Sequence, residues 1–173
     1  LIYELDLNEL QGTINYSIDH SENFASFDRI GYLVELQSSA YGNQALFVSM
    51  DAFTDDIKKI AVPQASTGVS FQQTVEGLES ISTVSSLNHE NIEGNIEFWP
   101  NNYAQQNAAN VPGASSSIYD FGDSMAEPVN GYGSMQVHNT QGKQTLFAFN
   151  HWRMGQAADL GIGNSAGSTR DWT

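Results

Sequence analysis

The chain has 173 residues, with twenty acids against six bases for a formal net charge of −14, and no cysteine. That balance repels phosphate backbones and anionic lipid at long range and argues against nucleic acid as a partner, while the missing thiols exclude disulfides and thiolate zinc sites. The length suits one domain, and no apolar run approaches the roughly 18 residues a bilayer span requires.

Because the chain starts at Leu1 without a basic-then-apolar leader and stops at Asp171-Trp172-Thr173 on the approach to another strand, residues 1–173 read as one module excised from a larger protein. Tyr3, Leu5 and Leu7 alternate with Glu4 and Asp6, and Ile14, Tyr16 and Ile18 with Asn15 and Ser17. Ile30, Tyr32, Val34 and Leu36 form one face opposite Gly31, Leu33, Glu35 and Gln37. Residues 45–50 are nearly continuous apolar sequence, the pattern of a central strand covered on both faces. Residues 51–60 (DAFTDDIKKI) read as a single helical turn with Asp55 and Asp56 near its start and Lys58 and Lys59 near its end, the arrangement the helix dipole favours. Further short strands are expected over 81–87, at Ile96 and Phe98, at Met135 and Val137, at Thr145, Phe147 and Phe149, and at Leu160 and Ile162. No window sustains a 3.6-residue repeat, and Gly, Ser, Asn and Asp clusters separate the strands. The expected fold is all-β, an antiparallel β-sandwich with jelly-roll connectivity.

The most informative stretch is Asn95-Ile96-Glu97-Phe98-Trp99-Pro100-Asn101-Asn102-Tyr103, where a strand delivers a tryptophan into a proline-stopped loop rich in amides. Aromatic rings stack on the apolar faces of pyranoses and amides pair with hydroxyls, so Trp99, Asn101, Asn102 and Tyr103 are candidate sugar contacts. The competing reading is a core tryptophan followed by an ordinary turn. The segment over 100–117 is too polar to pack and too long for a simple hairpin, as functional loops often are. Asn150-His151-Trp152-Arg153 offers a second half of the platform; in strand geometry Asn150 and Trp152 face one way, His151 and Arg153 the other.

Three fragments invite an enzymatic reading. Phe121-Gly122-Asp123-Ser124 copies the nucleophile block of the SGNH esterases, but no Asp-x-x-His partner follows, and a β-turn accounts for the letters better. Met135-Gln136-Val137-His138 resembles the Gln-Ile/Val-His signature of jelly-roll alginate lyases; the arginine-glutamate-arginine and Tyr-x-Lys strands of that family are absent. His138 then reads as a sugar-hydroxyl partner, or with a carboxylate as part of a lyase or glycoside hydrolase site. Third, twenty acids permit the carboxylate pair of glycoside hydrolysis, and Glu97 shares a strand face with Trp99 and Asn95, though the sequence gives it no spatial partner. Asp51, Asp55, Asp56, Asp120 and Asp123 are hard oxygen donors in turns, which makes a structural calcium ion a candidate with its ligands unassigned.

The strings YELDL, FDRIGYLVELQ, FVSMDAFTDDIKKIAVP, GNIEFWPNNY, YDFGDS, NGYGSMQVHN and KQTLFAFNHW together resemble a β-sandwich module appended to polysaccharide-processing proteins of marine bacteria and planctomycetes, including sialate O-acetylesterase-like proteins and sulfatases. The resemblance covers nearly the whole chain, carries no catalytic residues with it, and implies a secreted, non-catalytic carbohydrate-binding role. Related domains continue past Asp171-Trp172-Thr173 with one more strand. The expectation is therefore a monomeric carbohydrate-binding module that holds the catalytic domain of its parent chain against an algal polysaccharide, an agar- or porphyran-type galactan first. Trp99, Asn101, Asn102, Tyr103, His138, Asn150, Trp152 and Arg153 would contact the glycan.

Overall fold

The structure, a computed structural model, describes residues 1–6, 16–24, 26–39, 42–61, 71–99, 134–142, 144–150 and 159–163. Alternating apolar residues with turn-forming clusters between them give strands wherever the period holds. A two-stranded sheet pairs β1 (Tyr3–Glu4) with β2 (Ile18–Asp19). A seven-stranded sheet follows: β3 (Arg29–Ser38), β4 (Gly42–Asp51), β5 (Phe71–Ser82), β6 (His89–Trp99), β7 (Ser134–Asn139), β8 (Gln144–Asn150) and β9 (Asp159–Ile162). Each strand of the larger sheet pairs antiparallel with the next. The protein is thus all-β and antiparallel. Its described strands run strictly in chain order, as a meander, and the crossovers that define a jelly roll are not among their pairings.

One face of this sheet is the core. Ile30 and Leu36 of β3, Leu46, Val48 and Met50 of β4, Val75 and Leu78 of β5, Ile96 and Phe98 of β6, Met135 and Val137 of β7, Phe147 of β8 and Ile162 of β9 are all buried. They meet because the sheet coils until its ends approach one another. β9 comes close to β4, the rings of Tyr32 and Phe147 lie 6.2 Å apart, and a Cβ added at Gly163 would come within 2.9 Å of Leu87. Strand twist makes such curling the ordinary outcome for a sheet of this many strands. The small sheet seals one flank, where the Tyr3 hydroxyl donates to the Ile57 carbonyl at 3.2 Å and Tyr16 and Phe27 pack against the core.

Bulges set the curvature. Between Val75 and Leu78 the β5–β6 register slips on the β5 side at Gly77 (φ 60°), and between Leu78 and Ser80 it slips back at Asn91 of β6 (φ 48°). Gly77 is needed twice over, since its φ is left-handed and a Cβ there would sit 2.7 Å from an Asp51 carboxylate oxygen. The bulge is tied down by Arg29, which donates to Gly77 O at 2.9 Å, Ser49 Oγ at 3.0 Å and Asp51 Oδ1 at 2.8 Å. A third slip falls between Val137 and His138, where β8 carries the extra residue, Leu146.

Most expected strands are present, with instructive differences. Residues 45–50 belong to the second strand of the sheet, not to a central one covered on both faces, and Phe47 points away from the core at 44% exposure. β5 begins ten residues before Ile81, and β6 starts at His89. The beginning of β5 was hidden by Gln72, Gln73, Thr74 and Glu76 and by the bulge, which break the period-2 pattern. Ser85–Leu87, expected to continue a strand, is a 3₁₀ turn. The predicted turn over 51–60 is a 3₁₀ turn at Ile57–Ile60, with Asp56 accepting from the Lys58 amide at 3.0 Å.

Candidate functional site

Antiparallel pairing places directly opposed residues on the same face of a sheet, so register alone shows what β6, β7, β8 and β9 bring together. Apolar rows alternate with polar ones. Ile96–Val137–Phe147–Ile162 and Phe98–Met135–Phe149–Leu160 are the apolar rows. Between and beside them run Asn95–His138–Thr145, Glu97–Gln136–Ala148–Gly161 and Trp99–Ser134–Asn150–Asp159. Rows of one face recur about every 7 Å and strands about every 4.8 Å. The polar face therefore extends roughly 14 Å in each direction, the footprint of a short oligosaccharide.

Within it Asn95, Gln136, His138 and Thr145 are buried, Gln136 at 1% and His138 at 0% exposure. A polar sheet face removed from solvent is costly unless its groups are paired. Gln136 is not: both Nε2 and Oε1 are shielded and meet no hydrogen-bond partner among the described residues. One side chain thus presents an unused donor and an unused acceptor side by side. Burial holds the His138 imidazole neutral, its pKa pushed down to about 3. Near neutral pH it is an uncharged donor–acceptor and not a cation.

Of the residues singled out in the sequence, Trp99 (β6), His138 (β7) and Asn150 (β8) fall in this register, with Trp99 and Asn150 both in the row through Ser134. Asn101, Asn102, Tyr103, Trp152 and Arg153 lie outside the described residues, as do Ser124 and the segment over 100–117. His138 and Gln136 are both shut off from solvent and lie in the floor of the face. Glu97 stands opposite Gln136, two residue pairs along from the Asn95–His138 pair. The alternation at 134–138 already put Gln136 and His138 on one face; what the sequence did not disclose is that Asn95 and Thr145 flank them and that these four are buried.

The described residues do not assemble a calcium donor set. Asp51 is held by Arg29, Asp56 caps its turn, and no three carboxylates or imidazoles gather among the described residues. Asp120 and Asp123 lie outside them. A separate polar cluster closes the near end of the β7–β8 hairpin. There His89 Nε2 lies 3.0 Å from Gln144 Oε1, and Asn139 Oδ1 accepts from the Gly142 amide at 2.8 Å. These bonds satisfy a tight turn and leave little for a ligand.

In comparisons with known proteins, no family model matches the chain, and no curated protein or solved structure is detectably similar to it.

Proposed function

We propose that the chain is a non-catalytic carbohydrate-binding module, secreted as part of a larger protein, that holds a catalytic domain against a polysaccharide by means of the polar face of β6, β7 and β8. The observation that carries the reading is Gln136, a buried amide whose oxygen and nitrogen are both unpaired among the described residues. Leaving such groups unsatisfied costs about 1–3 kcal/mol each. That cost is tolerable where a bound hydroxyl pair completes them, since vicinal sugar hydroxyls match an amide's adjacent donor and acceptor. The register neighbours Trp99 and Asn150 supply an aromatic and a further amide at the end of the same face. Neutral hydrogen-bonding groups predominate, which favours a weakly charged glycan such as an agar-type galactan. The rival reading, a lyase or hydrolase that uses His138 and a carboxylate, is disfavoured by the low basicity of the ring, which burial holds neutral.

Affinity electrophoresis against agarose, porphyran, alginate, fucan and carrageenan, run beside assays for new reducing ends and unsaturated sugars, separates the readings. Binding without product is expected. The decisive variant is Gln136→Met, which preserves volume and removes both unpaired atoms. It should weaken retardation while raising unfolding stability by about 1–3 kcal/mol. Product formation, or a destabilised variant that is retarded as strongly as the parent, would overturn the proposal.

A further inference from the structure

A second surface lies over β3, β4 and β5, on the same non-core side of the sheet as the polar face of β6–β8. Leu33 pairs with Phe47 and Phe47 with Ile81, so three large apolar side chains form one row across three strands. They are 63%, 44% and 72% exposed. The Phe47 ring leans over the neighbouring strand, where a Cβ added at Gly31 would meet its Cε2 and Cζ at 3.0 Å. Covering a strand glycine with an aromatic is a known stabilising device and accounts for Phe47 by itself. It leaves Leu33 and Ile81 unexplained.

What adjoins the row indicates what it takes. Immediately beside it on the β3–β4 hairpin is an open cleft of about 410 Å³ whose polar lining is Glu35, Gln37, Asn43, Gln44 and Thr83. By alternation Gln37 and Asn43 stand on the side of the row, whereas Gln44, paired with Leu36, stands on the core side. Three residues across two strand spacings give a platform about 10 Å long, the size of one or two sugar rings. It is well short of the ~800 Å² per partner that a stable protein interface buries. The charges around it exclude other occupants. Glu35 and Glu79 flank the row on either side, and the cation of this face, Arg29, is already held by Asp51, Ser49 and Gly77. A second copy of a chain carrying −14 is repelled, as is a polyanion.

We infer that this row and its cleft form a second glycan subsite, specific for uncharged sugar rings: the Leu33–Phe47–Ile81 row takes the apolar face of the ring and the amides of the hairpin take its hydroxyls. Two sites on the non-core face of one sheet, one over β3–β5 and one over β6–β8, would let a module hold one polysaccharide chain at two points, or two chains, and so gain avidity without new contacts at either site.

The test is an amide-resolved NMR titration of the full chain with an agarose-derived hexasaccharide, with cellohexaose and mannohexaose, and with an alginate hexamer as the anionic probe. Shifts at the Gly31, Ser49, Ile81 and Thr83 amides with at least one neutral hexamer, and much smaller ones with alginate, are expected. Phe47→Ala should weaken that isotherm roughly tenfold while Gln136→Met leaves it unchanged, which separates this subsite from the β6–β8 face. Amides that stay still with all three neutral hexamers would overturn the inference. So would sedimentation showing that Phe47 mediates self-association while the glycan isotherm is indifferent to its loss.

Discussion

Lowering the pH from 7 to 5 should destabilise the fold through His138. In the unfolded chain its imidazole titrates near the ordinary value of about 6.5, whereas in the fold burial pushes the pKa down to about 3. Between those values the unfolded state binds a proton that the native state refuses. Stability from this group is therefore complete above pH 6.5 and is lost as the pH falls toward 3. The slope approaches about 1.4 kcal/mol per pH unit, and integration from pH 7 to pH 5 gives a loss of about 2 kcal/mol. Stopping at pH 5 keeps most carboxylates out of the comparison. Asp19, whose pKa is lowered by hydrogen bonds from Ser21, loses its contribution only as the pH falls below its ordinary 3.8. Urea melts at pH 7, 6 and 5 on the parent and on His138→Gln, which cannot titrate, provide the assay. The parent should lose about 2 kcal/mol more than the variant across that range. Identical losses, or an imidazole NMR titration of His138 with its midpoint near 6.5, would refute the reasoning. The latter would mean that the charged ring is stabilised enough in the fold to offset the cost of its burial.

Other perturbations follow from the same geometry. Trp99→Ala, at the head of the polar rows, should cost about 1–3 kcal/mol of glycan affinity and leave a cooperative melt, measured by affinity electrophoresis and calorimetry; a collapsed melt would make Trp99 a core residue. Gly94→Ala should cost about 1–3 kcal/mol in denaturant unfolding. Its new Cβ would stand 2.7 Å from the His138 carbonyl oxygen and 2.5 Å from Leu78 Cδ1, and the carbonyl, fixed in the β6–β7 ladder, has little room to yield. Arg29→Ala should cost only about 1 kcal/mol, because the Asp51 pair is half exposed and the hydrogen bond to the Gly77 carbonyl is what the bulge loses. Urea melts of the Arg29 variant test that ordering, and a loss comparable to that of Gly94→Ala would show the bulge to be the keystone of the sheet.

The fold class was legible because a one-sided sheet leaves a period-2 record, and β3 shows it: Ile30, Tyr32, Val34 and Leu36 turn inward while Gly31, Leu33, Glu35 and Gln37 are exposed. Two kinds of information were missing. Bulges remove the period locally, so Gly77 and Asn91 concealed half of β5 and the start of β6. Strand order leaves no periodic mark at all, so the chain-order pairing of the described strands was not legible in the sequence. The candidate site was half legible. Gln136 and His138 share a face in any strand, but that Asn95 and Thr145 join them depends on register, which β6, β7 and β8 fix only by pairing. The exposed row had a local signal, Leu33 in the polar phase of an otherwise regular alternation. Its extension through Phe47 to Ile81 again rests on register.

Charge supplies a last discrimination, between the two galactans most favoured as ligands. A surface at −14 repels a sulfated chain through the solvent, and that repulsion reaches about 30 Å at 0.01 M salt but only about 10 Å at 0.1 M. Under the proposed function, both sites would contact sugars through neutral amides, an uncharged imidazole and apolar rings, and such contacts would release few counterions. Agarose binding should accordingly be indifferent to sodium chloride between 0.01 and 0.5 M, while porphyran binding, weak at low salt, should strengthen as salt is added. The opposite trend, porphyran affinity falling as salt rises, is the signature of cation–sulfate pairs. It would move recognition away from the β6–β8 face to arginines such as Arg153 or Arg170, and the neutral-ligand reading of that face would have to be abandoned.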